Sequence, residues 1–405
     1  MLSPKRAKLS SHSAQTIANN DDLLIEILLR LPIKSLLKFK SVSKHFLSLI
    51  THPRFSGRHS SHPSTASALF FKRCVSVRTT EFNFINFNNR SSNSSPAPSR
   101  SFSFADERSC ITILQSCNGL LLCSTSHRVE SRRNYYVYNP TTKHYSILPR
   151  LPVPRTSTSS RTVYRMSLAF DPSKSPNYKV VCVRNCDSIT GQFQIEIYSS
   201  DTGPWRLSGG SFPGDFDVRL DDGVYWNGSV HWLSSWGTSL YFNVDEERLS
   251  EMPVPPLRIP ENYYDEIDKK FRYFGESRNH LHLIDNYEEE TTCFDVYEME
   301  RDYSGWFVKF RVDLSEFLKA FPEIIPISQG PVNLQNCQFS ILCVVRVELD
   351  DESFMVLKIF GKVLRYDFRT KAFYKLCDIE QDRSDNHYPS EWCGAYQFIE
   401  SIACV

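Results

Sequence analysis

The chain of 405 residues carries 47 basic and 46 acidic side chains, a formal net charge of +1, with 41% hydrophobic and 13% aromatic residues. That length suits two or three folded units with a large core, and the near-neutral balance supplies no long-range field to draw in nucleic acid or an anionic membrane. No run approaches the roughly 18–20 apolar residues of a membrane helix, and the first twenty residues hold no apolar signal core, so a soluble chain whose cysteines stay reduced is expected.

Residues 1–20 read as a disordered polar tail, whose Pro4, Lys5, Arg6 and Lys8 suit either a solvated terminus or a weak nuclear-import patch. The stretch from Asp21 to Phe55 changes character. Leu24 and Leu28 form one apolar stripe, Leu23, Ile27 and Leu31 the adjoining one, at the i, i+4 spacing of an amphipathic helix. Pro32 should stop that helix and turn the chain into a second one beginning near Lys34, because the residue before proline is pushed out of the helical region. Leu36, Leu37, Phe39, Val42, Phe46, Leu49 and Ile50 carry the pattern onward, which predicts three short helices over 21–56. Chains below roughly 40 residues rarely stabilise themselves, so this apolar surface must be covered by the rest of the chain or by another protein.

Residues 57–67, GRHSSHPSTAS, read as an exposed linker. From Ala68 the runs ALFFKRCVSV and EFNFINF have strand character, and polar tracts near 88–104 and 153–162 interrupt the pattern as flexible loops. A phrase of strand, polar turn and strand then recurs: YVYNPTTKHYSILP from Tyr136, IEIYSSDTGPWRLS from Ile195, LYFNVDEERLSEMP from Leu240 and VLRYDFRTKAFYKL from Val363. A companion hairpin precedes some copies: SCNGLLLCS from Ser116, YWNGSVHWLS from Tyr225 and SRNHLHLID from Ser277. Asn118-Gly119 and Asn227-Gly228 are strong hairpin signals, since both residue types tolerate positive φ. Companion plus phrase makes units of four strands spaced by very roughly 50 residues, the period of propeller blades. The fold class expected is therefore α plus all-β: a small three-helix unit followed by a β-propeller-like antiparallel domain over 68–405, with a β-sandwich as the structural alternative. Trp205, Tyr225, Trp226, Trp232, Trp236 and Trp306 would fill the gaps between blades, and Leu314, Leu318 and Phe321 predict one short helix within 313–321.

Candidate chemistry is sparse. There is no phosphate-binding glycine loop and no G-x-S-x-G elbow. His280 and His282 should share one face of a strand, where a third ligand would make a metal site, but solvent-facing or packed histidines explain the pair. Cys182 and Cys186 are spaced too widely for a C-x-x-C redox site; like Cys123 and Cys343, they read as structural. The acidic runs at Asp285 and Glu288 to Glu290, and at Asp350 to Glu352, read as solvated turns. No catalytic residue, metal or cofactor is expected.

DLLIEILLRLP followed by KSLLKFKSVSKHFLSLITHPRF resembles the F-box in the form common in large plant families. The later order NGLLL, YNP-T, SLAFDP, NYKVV, WNGSVHWL and AYQFIESIACV resembles the F-box-associated domain. The resemblance implies a non-enzymatic substrate-recognition subunit of an SCF-type cullin ubiquitin ligase, in the cytoplasm and/or nucleus. Its F-box would dock on a Skp-type adaptor beside the cullin, and its β domain would bind a target protein for ubiquitination. Leu23, Ile27, Leu31, Pro32, Leu36, Leu37, Val42, Phe46 and Ile50 would then face or support the adaptor. Two positions depart from the family pattern: Ala18, Asn19 and Asn20 stand where Leu-Pro is frequent, and Phe46 stands where Trp is frequent, which keeps an aromatic anchor without the indole donor. The alternatives are an interaction protein that holds the adaptor outside a working ligase, a helical segment that merely caps the β domain, and a propeller enzyme with a metal or cofactor on its axis.

Overall fold

The computed structural model describes residues 17, 19–59, 64–76, 79–88, 99–100, 102, 111–125, 133–151, 163–185, 192–213, 223–234, 238–254, 273–284, 292–325, 334, 337–379 and 394–405. Helix α1 (Asp21–Leu29) starts where Asn20, in an extended conformation, accepts a hydrogen bond from the Leu23 N–H at 3.1 Å. Asp21 and Asp22 in its first turn complement the positive end of the helix dipole. Pro32 sets the turn into α2 (Ile33–Lys40), and Ser43 caps α3 (Lys44–Thr51) by accepting from the Phe46 N–H at 3.2 Å. The three-helix expectation needs correcting: Pro53–His59 forms a fourth helix, α4. Its sequence, PRFSGRH, has no helical apolar period, and it is anchored by Phe55, buried in one cluster with Leu28, Leu36, Ile50 and Ile402.

Among the described residues, the strands form six antiparallel four-stranded sheets. Blade 2 is Ile111–Cys117, Leu120–Thr125, Tyr135–Asn139 and His144–Ile147; blade 3 is Val163–Ala169, Lys179–Asn185, Gln192–Ser199 and Gly203–Pro213. Blade 4 is Val224–Trp226, Ser229–Trp232, Leu240–Asn243 and Arg248–Glu251; blade 5 is Tyr273–Ser277, His280–Ile284, Cys293–Met299 and Trp306–Asp313. Blade 6 is Ser340–Val345, Phe354–Ile359, Lys362–Asp367 and Phe373–Asp378. Blade 1 takes its inner strand, Ala395–Phe398, from far along the chain and pairs it with Ala68–Ser76, followed by Thr79–Asn86 and Ser99–Arg100. The six inner strands touch one another in a closed ring, which makes the domain a six-bladed β-propeller and removes the sandwich alternative.

Alternation along the second strands explains why this ring is stable. In blade 2, Leu121 and Cys123 face blade 1, while Leu120 and Leu122 face blade 3. Such strands are buried on both faces and read as continuous apolar runs, LLLC, KVVCV and HLHLI. Trp205, Trp226 and Trp232 fill interblade clusters and Trp306 packs against one; Trp236 lies outside the described residues. The hairpin turns at Asn118-Gly119, Asn227-Gly228 and Arg278-Asn279 have positive φ, as the turn chemistry requires. The short helix expected within 313–321 is α5 (Ser315–Ala320), which precedes a 3-10 turn at Pro322–Ile324. Ser99–Arg100 is the described strand of the 88–104 tract; most of that tract, residues 152–162, Cys186 and the 285–291 acidic run lie outside the described residues.

The turns joining first to second and third to fourth strands share the end of the propeller that faces the helices. Thr141 Oγ1 accepts from the Ser401 N–H at 3.1 Å, and Val244 N donates to Gly228 O at 3.1 Å. Lys34 reaches Glu400 at 3.3 Å, which ties α2 to the same end.

Candidate functional site

The four helices close on Leu28, Leu36, Ile50 and Phe55 and leave other apolar residues outside. Leu23, Ile27, Val42 and Leu47 are 46%, 49%, 65% and 43% exposed. The burial separates roles that the spacing left merged. Of the nine expected contact residues, Leu36 and Ile50 are wholly interior. Leu31, Leu37 and Phe46 are half-buried, and Leu23, Ile27, Pro32 and Val42 face water. Phe46 stands edge-on to Phe39 with ring centroids 5.3 Å apart, an arrangement that fixes the aromatic on the helical surface. His45 lies 3.1 Å from Asp21, which brings together the first turns of α1 and α3, the ends that carry Leu23 and Val42. Leu47 was not among the nine. The run HFLSLI packs more apolar residues into one and a half turns than a single buried stripe can hold, and that excess is the signal that points to it.

Two adjoining cavities that share Asn118, Tyr225, Glu276 and Ile399 lie along the propeller axis, lined by polar and apolar side chains alike. A cavity of about 200 Å³ is lined by inner-strand residues including Gln115, Cys117, Tyr225, Glu276 and Gln397, and a second of about 140 Å³ lies at the helical end between Ile33, His59, Asp171 and Arg278. Much of the polar lining is spent on holding the ring together. Gln115 bonds Leu168 twice, donating to its carbonyl at 3.1 Å and accepting from its N–H at 2.7 Å. Ser116 Oγ donates to Gln397 O at 2.6 Å, and the Gln397 side chain crosses to Glu276 O at 3.0 Å. Burial, reinforced by the Asp171 charge and opposed by the Asn279 N–H, pushes the Glu276 carboxyl up to about 7. Burial likewise raises the Cys117 thiol and the Tyr225 phenol, so both stay protonated and neither is an activated nucleophile.

His280 and His282 do share a strand face, with Glu298 opposite them. His280 Nδ1 lies 2.7 Å from Glu298 Oε1, and His282 Nε2 lies 3.4 Å from Oε2. Arg346 Nη1 also donates to Oε2 at 2.8 Å, so a guanidinium sits where a metal would compete for the carboxylate. Burial pushes the Glu298 carboxyl up, but the hydrogen bond with His280 and the nearby His282 imidazole outweigh it and hold the group well below the usual range. Burial lowers His282 and keeps it neutral. Arg346 continues to Asp350 at 2.6 Å, making the expected solvated acidic turn one partner of a seam between blades 5 and 6. Among the described residues, no group of three or more His, Cys, Asp or Glu is placed to hold a metal ion. Nor is any described helix long and apolar enough to cross a membrane.

Comparison with known proteins gives both regions a counterpart. Residues 20–56 match the model of the F-box domain, and residues 70–303 match that of the F-box associated beta propeller domain. The Arabidopsis thaliana F-box protein At5g07610 is 35% identical over 427 residues, spanning 100% of this chain and 96% of that protein. The putative F-box protein At1g47790 is 32% identical across 46% of this chain and 44% of its own length. The F-box/kelch-repeat protein At3g23880 is 28% identical across 58% of this chain and 65% of its own; both are from A. thaliana.

Proposed function

Since the chain belongs to the F-box proteins that carry an F-box associated β-propeller, we propose that it is a substrate-recognition subunit of an SCF-type cullin ubiquitin ligase. In this reading the F-box docks on a Skp-type adaptor in the cytoplasm or nucleus, the propeller binds a protein target, and associated enzymes carry out the ubiquitination. The observation that carries the reading is the exposed apolar set Leu23, Ile27, Val42 and Leu47, on helices whose buried side is already filled. A partner that covers these side chains recovers the burial free energy that folding leaves unused. The helices occupy one end of the propeller, so the target binds at the other, where second strands lead to third strands and outer strands lead to the next blade. Rigid blades below such connections let recognition residues vary without disturbing the core.

The test is binding of the purified chain to a plant Skp-type adaptor and cullin, beside the double variant Leu23→Asp, Ile27→Asp. Wild type should bind, and the variant should lose about 100-fold or more in affinity, as expected for two charged replacements among apolar anchors. Its far-UV circular dichroism and melting temperature should stay unchanged, because both side chains are exposed. Failure of the wild type to bind, or equal binding by the folded variant, would sink the proposal.

A further inference from the structure

The F-box is not completed by its own helices. Ile402, 3% exposed, lies in the same buried cluster as Leu28, Leu36, Ile50 and Phe55, although it is more than 340 residues distant along the chain. The chain reaches that position by a defined path. After the inner strand of blade 1 it crosses the helical end of the propeller as residues 399–405. Asn139, with no exposed surface, donates from its side-chain nitrogen to Ser401 O at 3.0 Å and to Ala403 O at 2.8 Å. Its side-chain oxygen accepts from the Thr141 and Thr142 N–H groups at 2.9 and 3.2 Å, so the whole amide is engaged. Thr141 Oγ1 accepts from the Ser401 N–H, and the Ala403 N–H donates to Ser401 Oγ at 3.1 Å.

The side chains of this segment alternate between the two domains. Ile402 enters the F-box core, while Ala403 and Val405 pack against the cluster between blades 2 and 3. Gly119, at φ +88°, lets the blade 2 hairpin lie directly under it: a Cβ there would stand 2.4 Å from Ser401 Cβ and 2.9 Å from Ile399 O. Among the described residues, the extensive contacts elsewhere run helix to helix or strand to strand, and no extensive contact joins an F-box helix to a propeller strand.

We infer that residues 399–405 are a strap that supplies the missing core side chain of the F-box and fixes that domain to the propeller. The F-box is thus a split unit: four helices near the start of the chain and one core residue from beyond the last blade strand. Its consequence for a receptor is geometric, since the surface that holds a partner and the propeller face that presents a target then move as one body. The strap stands apart from the adaptor reading, and its test involves no partner.

Hydrogen exchange followed by mass spectrometry would compare the full chain with Ile402→Asp and with a chain ending at residue 400, which keeps the whole blade 1 inner strand. Amides of helices α1 to α4 should exchange about tenfold faster or more in both variants, while those of strands between Ala68 and Phe398 keep their protection. Ile402→Val, which preserves an apolar filler, should restore protection of the helices. Unchanged exchange over 21–59 in both variants would overturn the inference. So would a loss spread evenly over the blade strands, since residue 402 would then be holding the propeller. Should the shortened chain fail to fold, Ile402→Ala reads out the same comparison.

Discussion

In the F-box, large apolar side chains such as Val42, at 65% exposure, stand in water, whereas in the propeller the second strands of successive blades are buried on both faces. The two regions meet the same requirement by different means. A closed ring of blades covers every sheet face with another sheet, so its core is finished by the chain alone. Four short helices cannot do this. They fill one small core, borrow Ile402 for it, and keep the remaining apolar side chains on the outside. Apolar residues in the propeller therefore report on folding, and those exposed on the F-box surface report on the docking proposed above.

That contrast is broken most severely by emptying an interblade position. Trp232 has no exposed surface and packs with Val181, Val183 and Ile195 between blades 3 and 4. Trp232→Ala should cost about 3–5 kcal/mol of stability, seen as a lower urea midpoint by far-UV circular dichroism, while Val42→Ser should stay within about 0.5 kcal/mol of wild type. If both moved the midpoint equally, the division between folding and binding residues would be wrong. A smaller effect falls on the seam between the regions. Gly119→Ala combines a positive φ with a Cβ pressed against Ser401 and should cost about 2 kcal/mol, with accelerated proteolysis of the F-box as its local signature.

Glu276 sharpens the comparison by pH. Its folded carboxyl titrates at about 7 against an ordinary value of 4.5, so the folded state holds the proton more tightly. The associated stability is fully present below pH 4.5 and is lost as pH rises through 7. Glu276→Gln removes that loss: relative to wild type it should gain about 2–3 kcal/mol between pH 5 and pH 8, measured by chemical denaturation across that range. A gain that is flat with pH would mean that the cavity wall does not hold Glu276 as a proton-binding group. The F-box should be indifferent to this change.

The regions also differ in what their sequences disclose. Helices α1 to α3 were readable because Leu24, Leu28 and Leu36 obey a local period and Pro32 punctuates it. The fourth helix was not, since PRFSGRH has no period of its own and is held by Phe55 in a core finished from residue 402. In the propeller the repeated hairpins were legible wherever a polar turn such as Asn118-Gly119 separated two runs. Closure was hidden because the pairing of Phe70 with Tyr396 depends on partners hundreds of residues apart. Blade 6 hid its first hairpin for another reason: SILCVV and FMVLKI are buried on both faces and show no alternation. At the candidate site, spacing found Leu23 and Ile27 but grouped them with Leu36 and Ile50. Only packing against the other helices decides which side of α2 and α3 faces inward.

The smallest expected effect bears on the residue that departs from the family pattern. Where the resemblance leads one to expect Leu-Pro the chain reads Ala18, Asn19 and Asn20, and Asn20 caps α1 by accepting from the Leu23 N–H at 3.1 Å. A capping side chain satisfies a donor that would otherwise lack an intrahelical partner, and its loss typically costs about 1 kcal/mol. The first turn of α1 also carries Leu23, exposed and part of the docking surface proposed above. Asn20→Ala should therefore leave the propeller's melting unchanged, speed exchange of the amides from Asp22 to Leu24 by about fivefold, and weaken adaptor affinity by a similar factor, because the partner must reorder the frayed turn. Asn20→Asp should retain both properties, since a carboxylate caps the turn and complements its positive end. If Asn20→Ala frayed the turn and left adaptor affinity untouched, Leu23 would not be part of the contact, and the binding surface would move to the Val42 and Leu47 side of the F-box.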